Sequence, residues 1–157
     1  MIDFSPLSKV WIYQAERPLT SSEIAHINNA ATAFIADWTS HGKLMKATII
    51  SRYNLFLILM VDETQADASG CGIDKSVRFF QQMEKDFSIN LMNRLKVAYK
   101  AGEEVICTSL AAFEKKIESG EINGDTIVFN NLVQTKSDFE SNWEVPLHSS
   151  WHAKMLV

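Results

Sequence analysis

The stretch LFLILMVDETQADASGCGIDKSVRFFQQ, residues 55–82, decides how this chain is read. It opens on seven apolar residues in succession, 55–61. A membrane span needs about 20 such residues. The run also lacks polar alternation, so it predicts a central strand buried on both faces. Residues 62–72 turn polar and carry glycines, which predicts a loop. Ile73, Val77, Phe80, Met83 or Glu84, and Phe87 then recur at three- and four-residue intervals. That spacing predicts a helix from near Asp74 to near Phe87.

The flanking sequence completes an α+β pattern. Residues 10–14 (VWIYQ) are aromatic and β-branched and predict a strand. Thr20-Ser-Ser-Glu23 matches a capping box, and Ile24, Ile27, Ala31, Phe34, Ile35 and Trp38 mark one face of the helix it opens. His41-Gly42 predicts its end, with Gly as a left-handed cap. Residues 46–52 alternate as a half-buried strand, and Tyr53-Asn54 turns it into the 55–61 strand. Downstream, 95–100 and 104–108 predict a second hairpin, with Leu95, Val97 and Tyr99 facing inward. A short helix over 110–119, a strand over 127–132 and a tail anchored by Phe139, Trp143 and Trp151 follow. The order βαββαβ is that of a ferredoxin-like core, an antiparallel sheet with two helices on one face, extended by a C-terminal β-α-β. An open α/β sheet is the rival arrangement.

Bulk properties bound the function. The chain has 157 residues, which predicts a single domain over 1–157. With 46% apolar and 22% charged residues it has the composition of a soluble protein. A net charge of −4 argues against broad nucleic-acid binding, which requires clustered Lys and Arg. Cys71 and Cys107 form no CxxC and predict free thiols in a cytoplasmic protein. The N-terminal MIDFSPLSKVW lacks the apolar run of a signal peptide.

These residues carry a likeness. VWIYQ at Val10, WTSHG at Trp38, Tyr53-Asn54, Val61-Asp62-Glu63, SGCGID at Ser69 and SVRF at Ser76 match in order. So do IVFNNLV at Ile127, WEVP at Trp143 and SWH at Ser150. Through them the chain resembles a family of small uncharacterised bacterial proteins often labelled ABC transporter ATPase. The resemblance implies a cytoplasmic domain and, by that label, nucleotide hydrolysis. Tested on the residues, the label fits poorly. Gly70–Ser76 reads GCGIDKS, whose Gly, Lys and Ser resemble parts of a P-loop, but Asp74 replaces the glycine before Lys and would repel phosphate.

Two readings of the 62–76 corner remain. In the first, the protein is a binding or adaptor domain. His41, Arg52, Asp62, Gly70, Gly72 and Asp74 line a crevice for a small anion or a peptide. In the second, Cys71, glycine-flanked and near a helix start whose dipole favours thiolate, is the nucleophile of a thiol-dependent enzyme. A buried, structural Cys71 with Asp74 as a helix cap is the plainer alternative. His148 and His152, four apart, and the acidic trio Asp62, Glu63 and Asp67 lack the remaining partners of a metal site, so no metal or cofactor is implied. An exposed edge strand leaves a homodimer open.

Overall fold

In chain order the elements are β1 (Lys9–Gln14), α1 (Ser21–Asp37), β2 (Thr39–Ser40), β3 (Lys43–Leu44), β4 (Lys46–Arg52), β5 (Phe56–Asp62) and α2 (Gly70–Phe87). They continue with β6 (Lys96–Ala101), β7 (Glu104–Ser109), α3 (Leu110–Glu118), β8 (Ile127–Phe129), α4 (Lys136–Asn142) and β9 (Glu144–Pro146). Two 3-10 turns, Leu147–Ser149 and Trp151–Met155, close the chain. This is a computed structural model that describes residues 3–64 and 70–156.

Every residue of β5 is buried. The strand lies in the middle of an antiparallel sheet of order β1-β5-β4. Directly paired residues share a face. Tyr13 pairs with Leu57 and its ring stacks on Phe80 of α2, centroids 3.7 Å apart, so Leu57, Leu59 and Val61 face the helices. Gln14 pairs with Phe56, whose ring meets Phe129 at 4.8 Å and Trp143 at 4.9 Å. The Phe56, Ile58 and Met60 face is therefore covered by the C-terminal half. The fold is α+β, with a ferredoxin-like antiparallel core extended by further β-α-β elements and an aromatic-rich C-terminal segment.

The strand after α2 does not join the first sheet. β6 is central to a second antiparallel sheet, β7-β6-β8-β9. The outer edge of β1 instead meets the chain at Thr135, bridged to Lys9, and Val10 N–H donates to Gln134 O. The second sheet is packed on both faces. Ala98, Val105, Cys107 and Phe129 join the main core, whereas Val97, Tyr99 and Val128 join a smaller cluster with Phe113, Ile122 and Leu147. Of the alternation expected over residues 95–100, Val97 and Tyr99 are buried as expected, Ala98 is buried too because the sheet is packed on both faces, and Leu95 precedes the strand and is exposed.

One turn departs from expectation, and the Tyr53-Asn54 turn matches it. The α1 helix ends at Trp38 in extended conformation. His41-Gly42 is not its cap but the tip of the β2–β3 hairpin, between paired Ser40 and Lys43, with φ of 52° and 77°. Positive φ at both central residues is the type I′ geometry that matches strand twist. Tyr53 and Asn54 repeat it, at φ 56° and 52°. Left-handed backbone is costly for tyrosine. Here the Tyr53 hydroxyl donates to the Glu144 carboxylate at 2.6 Å, and Lys100 pairs with the same carboxylate. This clasp joins the tip of the first sheet to the second.

Phe56 tests the arrangement. Truncation removes the ring that both halves of the core share. Phe56→Ala is expected to lower unfolding free energy by about 3–5 kcal/mol, read as a shifted urea midpoint. A loss below about 1 kcal/mol would show that the two halves do not depend on this contact.

Candidate functional site

The helix that carries the GCGIDKS stretch begins earlier than its apolar periodicity suggests. Gly70 through Ser76 are already helical. They therefore leave no loop to wrap around a phosphate, as a P-loop requires. Ser76 is buried and its hydroxyl donates to Ile73 O at 2.7 Å. Asp74 lies a full turn inside the helix and is exposed, so it is not the cap. Cys71 falls in the first turn by its backbone, and its side chain lies outside the described residues, as does Asp67.

The other residues read as site candidates are spread apart. Asp62 ends β5 and is buried. Its Oδ2 accepts from Ser5 N at 3.0 Å, its Oδ1 from Thr64 N at 3.0 Å, and Lys46 Nζ stands 3.6 Å away. Those backbone hydrogen bonds, ahead of the Lys46 charge, hold its carboxyl down to about 2. Asp62 thus fastens the N-terminal segment. Arg52 sits at the opposite end of the same ladder, where it pairs with Phe56 while Lys46 pairs with Asp62. Six residues of strand separate the two ends, roughly 20 Å. His41 is exposed at its hairpin tip. Gly72 is buried, and its carbonyl accepts from Trp38 Nε1 at 3.0 Å.

That last bond leads to the most site-like surface. Trp38 lines a shallow groove of about 370 Å³ between α1 and α2, together with Ala33, Phe34, Asp37, Lys75 and Arg78. Its apolar part is built by spacing. Phe34 and Trp38 are four apart on α1 with rings 5.2 Å apart, and Phe34 stacks on Phe79 of α2 at 5.0 Å. Phe79 meets Phe80 at 5.2 Å, and Phe80 stacks on Tyr13. A run of rings therefore connects the sheet to the groove. Lys75 and Arg78 are three apart on α2 and share a helix face. Both are exposed, and neither makes an ion pair or hydrogen bond among the described residues. Asp37 stands on the facing wall.

The groove is hard to see in the sequence because Trp38 belongs to the core and Phe34 and Phe79 pack against it, while Lys75 stands within the GCGIDKS stretch. The signal was present: two cations at three-residue spacing on the side of α2 that carries Phe79. Among the described residues no group of three or more His, Cys, Asp or Glu gathers as metal ligands. His148 and His152 are not a pair. His148 is exposed beside Ser149, whereas His152 is buried, with Nδ1 2.7 Å from Ser150 Oγ and its ring stacked on Trp151. No helix among the described residues is long and apolar enough to cross a membrane. No family model matches the chain, and neither a curated protein nor a solved structure does.

Titration follows from these surroundings. Burial, with Lys154 adding, pushes His152 down to about 4. A histidine held neutral in the fold stabilises above its unfolded value near 6.5 and loses that contribution as pH falls toward 4. The loss is on the order of 3 kcal/mol. Asp62, lowered from 3.8 to about 2, adds a second loss as pH falls below 4 toward 2. Urea unfolding across pH 7.5 to 2.5 is expected to decline in these two steps. The upper step should flatten in His152→Gln and the lower in Asp62→Asn. Cys107 behaves differently. Burial pushes its thiol up, against the hydrogen bond it accepts from Gln14. Peptide mapping after iodoacetamide at pH 8 is expected to find Cys107 modified far more slowly in native than in urea-unfolded protein. Equal rates would show that the thiol is not shielded.

Proposed function

We propose that this protein is a binding or adaptor domain that takes an anion in the α1–α2 groove. The observation that carries the reading is the pair of exposed cations, Lys75 and Arg78, beside an aromatic floor and with no ion-pair partner among the described residues. Elsewhere among the described residues Lys9 pairs with Glu63, Arg17 with Glu23, Lys46 with Asp62, Lys100 with Glu144, Lys116 with Glu121 and Lys136 with Glu140. Two neighbouring cations left without such partners attract a shared anion, and a half-dry aromatic wall strengthens that attraction over its value in open water. The groove replaces the crevice expected around Cys71 and Asp74 as the binding surface, lying along the same helix. Among the described residues that line it, the charged groups are two cations and one carboxylate, which suit binding of an anion.

Inorganic pyrophosphate is a suitable probe, with the Trp38 indole N–H resonance as reporter. That group belongs to the groove lining and is held on Gly72. Pyrophosphate is expected to shift this resonance in a saturable, salt-sensitive way. Lys75→Ala and Arg78→Ala should each weaken binding by about tenfold, or about 1.4 kcal/mol. No saturable shift, or shifts unchanged in both variants, would overturn the reading.

A further inference from the structure

We infer that the natural occupant of the α1–α2 groove is an acidic peptide segment of a partner protein, seated by one apolar or aromatic side chain; this inference rests on the anion-binding reading above. Three features point to a chain segment rather than a small molecule. The groove is shallow and largely open to solvent, and small-molecule sites enclose most of their ligand. Its lining also combines an aromatic patch of Phe34 backed by Phe79 with Lys75 and Arg78, one helical turn apart on α2, and Asp37 on α1. A segment with an apolar anchor and flanking carboxylates matches that combination, and a donor on the same segment would meet Asp37. Finally, Ala33 contributes only a methyl to the α1 wall, so a backbone can approach the helix there.

Charge decides the class of partner. Lys75 and Arg78 give the groove a local positive charge although the protein as a whole carries a formal charge of −4, and an acidic segment complements that local charge. A second concave surface, at the C-terminal end of α2, offers no comparable attraction. It mixes Glu84 with Lys85 beside Gln81, Ile89 and Asn90, it has no aromatic floor, and Glu84 is already engaged by Leu91 N at 2.8 Å. Helix-to-helix grooves that hold peptides use this division of labour, in which a buried anchor side chain supplies affinity and charges at the rim supply selection and register.

The test is selection from a displayed library of random peptides of about 12 residues on the full chain, followed by fluorescence anisotropy with the selected peptides. Selected sequences are expected to be enriched in Asp and Glu around a Phe, Tyr, Trp or Leu. They should shift the Trp38 indole N–H resonance and lose affinity by at least about tenfold on the Lys75→Glu/Arg78→Glu variant. Both side chains are exposed, so the variant keeps its core. The Lys75→Gln/Arg78→Gln variant, expected to show a smaller loss, separates charge reversal from disturbance of the helix. Selection of no peptide, of peptides without acidic enrichment, or of peptides that bind the charge-reversed variant equally would overturn the inference. Pyrophosphate binding retained in that case leaves the anion site standing and removes only the peptide. Loss of both removes the site itself.

Discussion

The structure depends on a strand that has no solvent face. All seven residues of β5 are buried, six of them apolar, and each apolar side chain gains roughly 1.5–3 kcal/mol only if something covers it. One layer of helices covers one face. The α1 and α2 helices meet Leu57, Leu59 and Val61 through Tyr13 and Phe80. The opposite face, which in an open two-layer sheet would meet water, requires a second cover. Phe129 and Trp143 provide it, which is why the C-terminal half folds back over the first sheet instead of lengthening it. The second sheet then has its own outer face to bury, and α3 with the terminal 3-10 turns does so around Phe113 and Leu147.

Polar contacts fix the register between these layers where apolar packing alone would tolerate sliding. Gln14 is buried at the end of β1. Its Oε1 accepts from Asn131 Nδ2 at 2.8 Å, its Nε2 reaches Cys107 Sγ at 3.4 Å, and Asn131 Oδ1 accepts from Trp143 Nε1 at 3.0 Å. A buried chain of donors and acceptors is costly when broken, so it holds the first sheet, the second sheet and the tail in one relation. At the surface, Tyr53, Lys100 and Glu144 repeat the connection and hold a tyrosine in left-handed backbone. Asp62 does the same for the N-terminal segment. A carboxylate that reads from sequence as a ligand is therefore satisfied within the fold.

The candidate groove is a by-product of how the first layer is packed. Rings at four-residue spacing on α1 interleave with Phe79 and Phe80 on α2, and the outermost of them, Phe34, remains partly accessible. The early start of α2 at Gly70 matters as much. It turns the glycine-rich stretch into a helical turn, places Asp74 in solvent and sets Lys75 and Arg78 along the groove. Periodicity could not find that start. Gly, Cys and Gly carry no apolar stripe, and glycine disfavours helix by about 1 kcal/mol, so local propensity argued for a loop. Tertiary contact overrode it, with the Trp38 indole bonded to the Gly72 carbonyl.

By itself the sequence determined the elements whose signal is local. The β5 strand was legible because an unbroken apolar run of that length can only be buried on both sides. The α1 start was legible because Thr20 and Glu23 satisfy each other's backbone donors, as they do in the fold at 3.1 and 2.9 Å. Phe139 and Trp143 were legible as anchors because large rings in a polar tail must find a core. Tertiary structure alone decided which strand sits beside β1, where β6 pairs, what satisfies Asp62 and which cations are left without partners. Those are choices between partners distant in sequence. They are settled by which arrangement covers both faces of β5 while satisfying its buried polar neighbours, and no window of local residues contains that comparison.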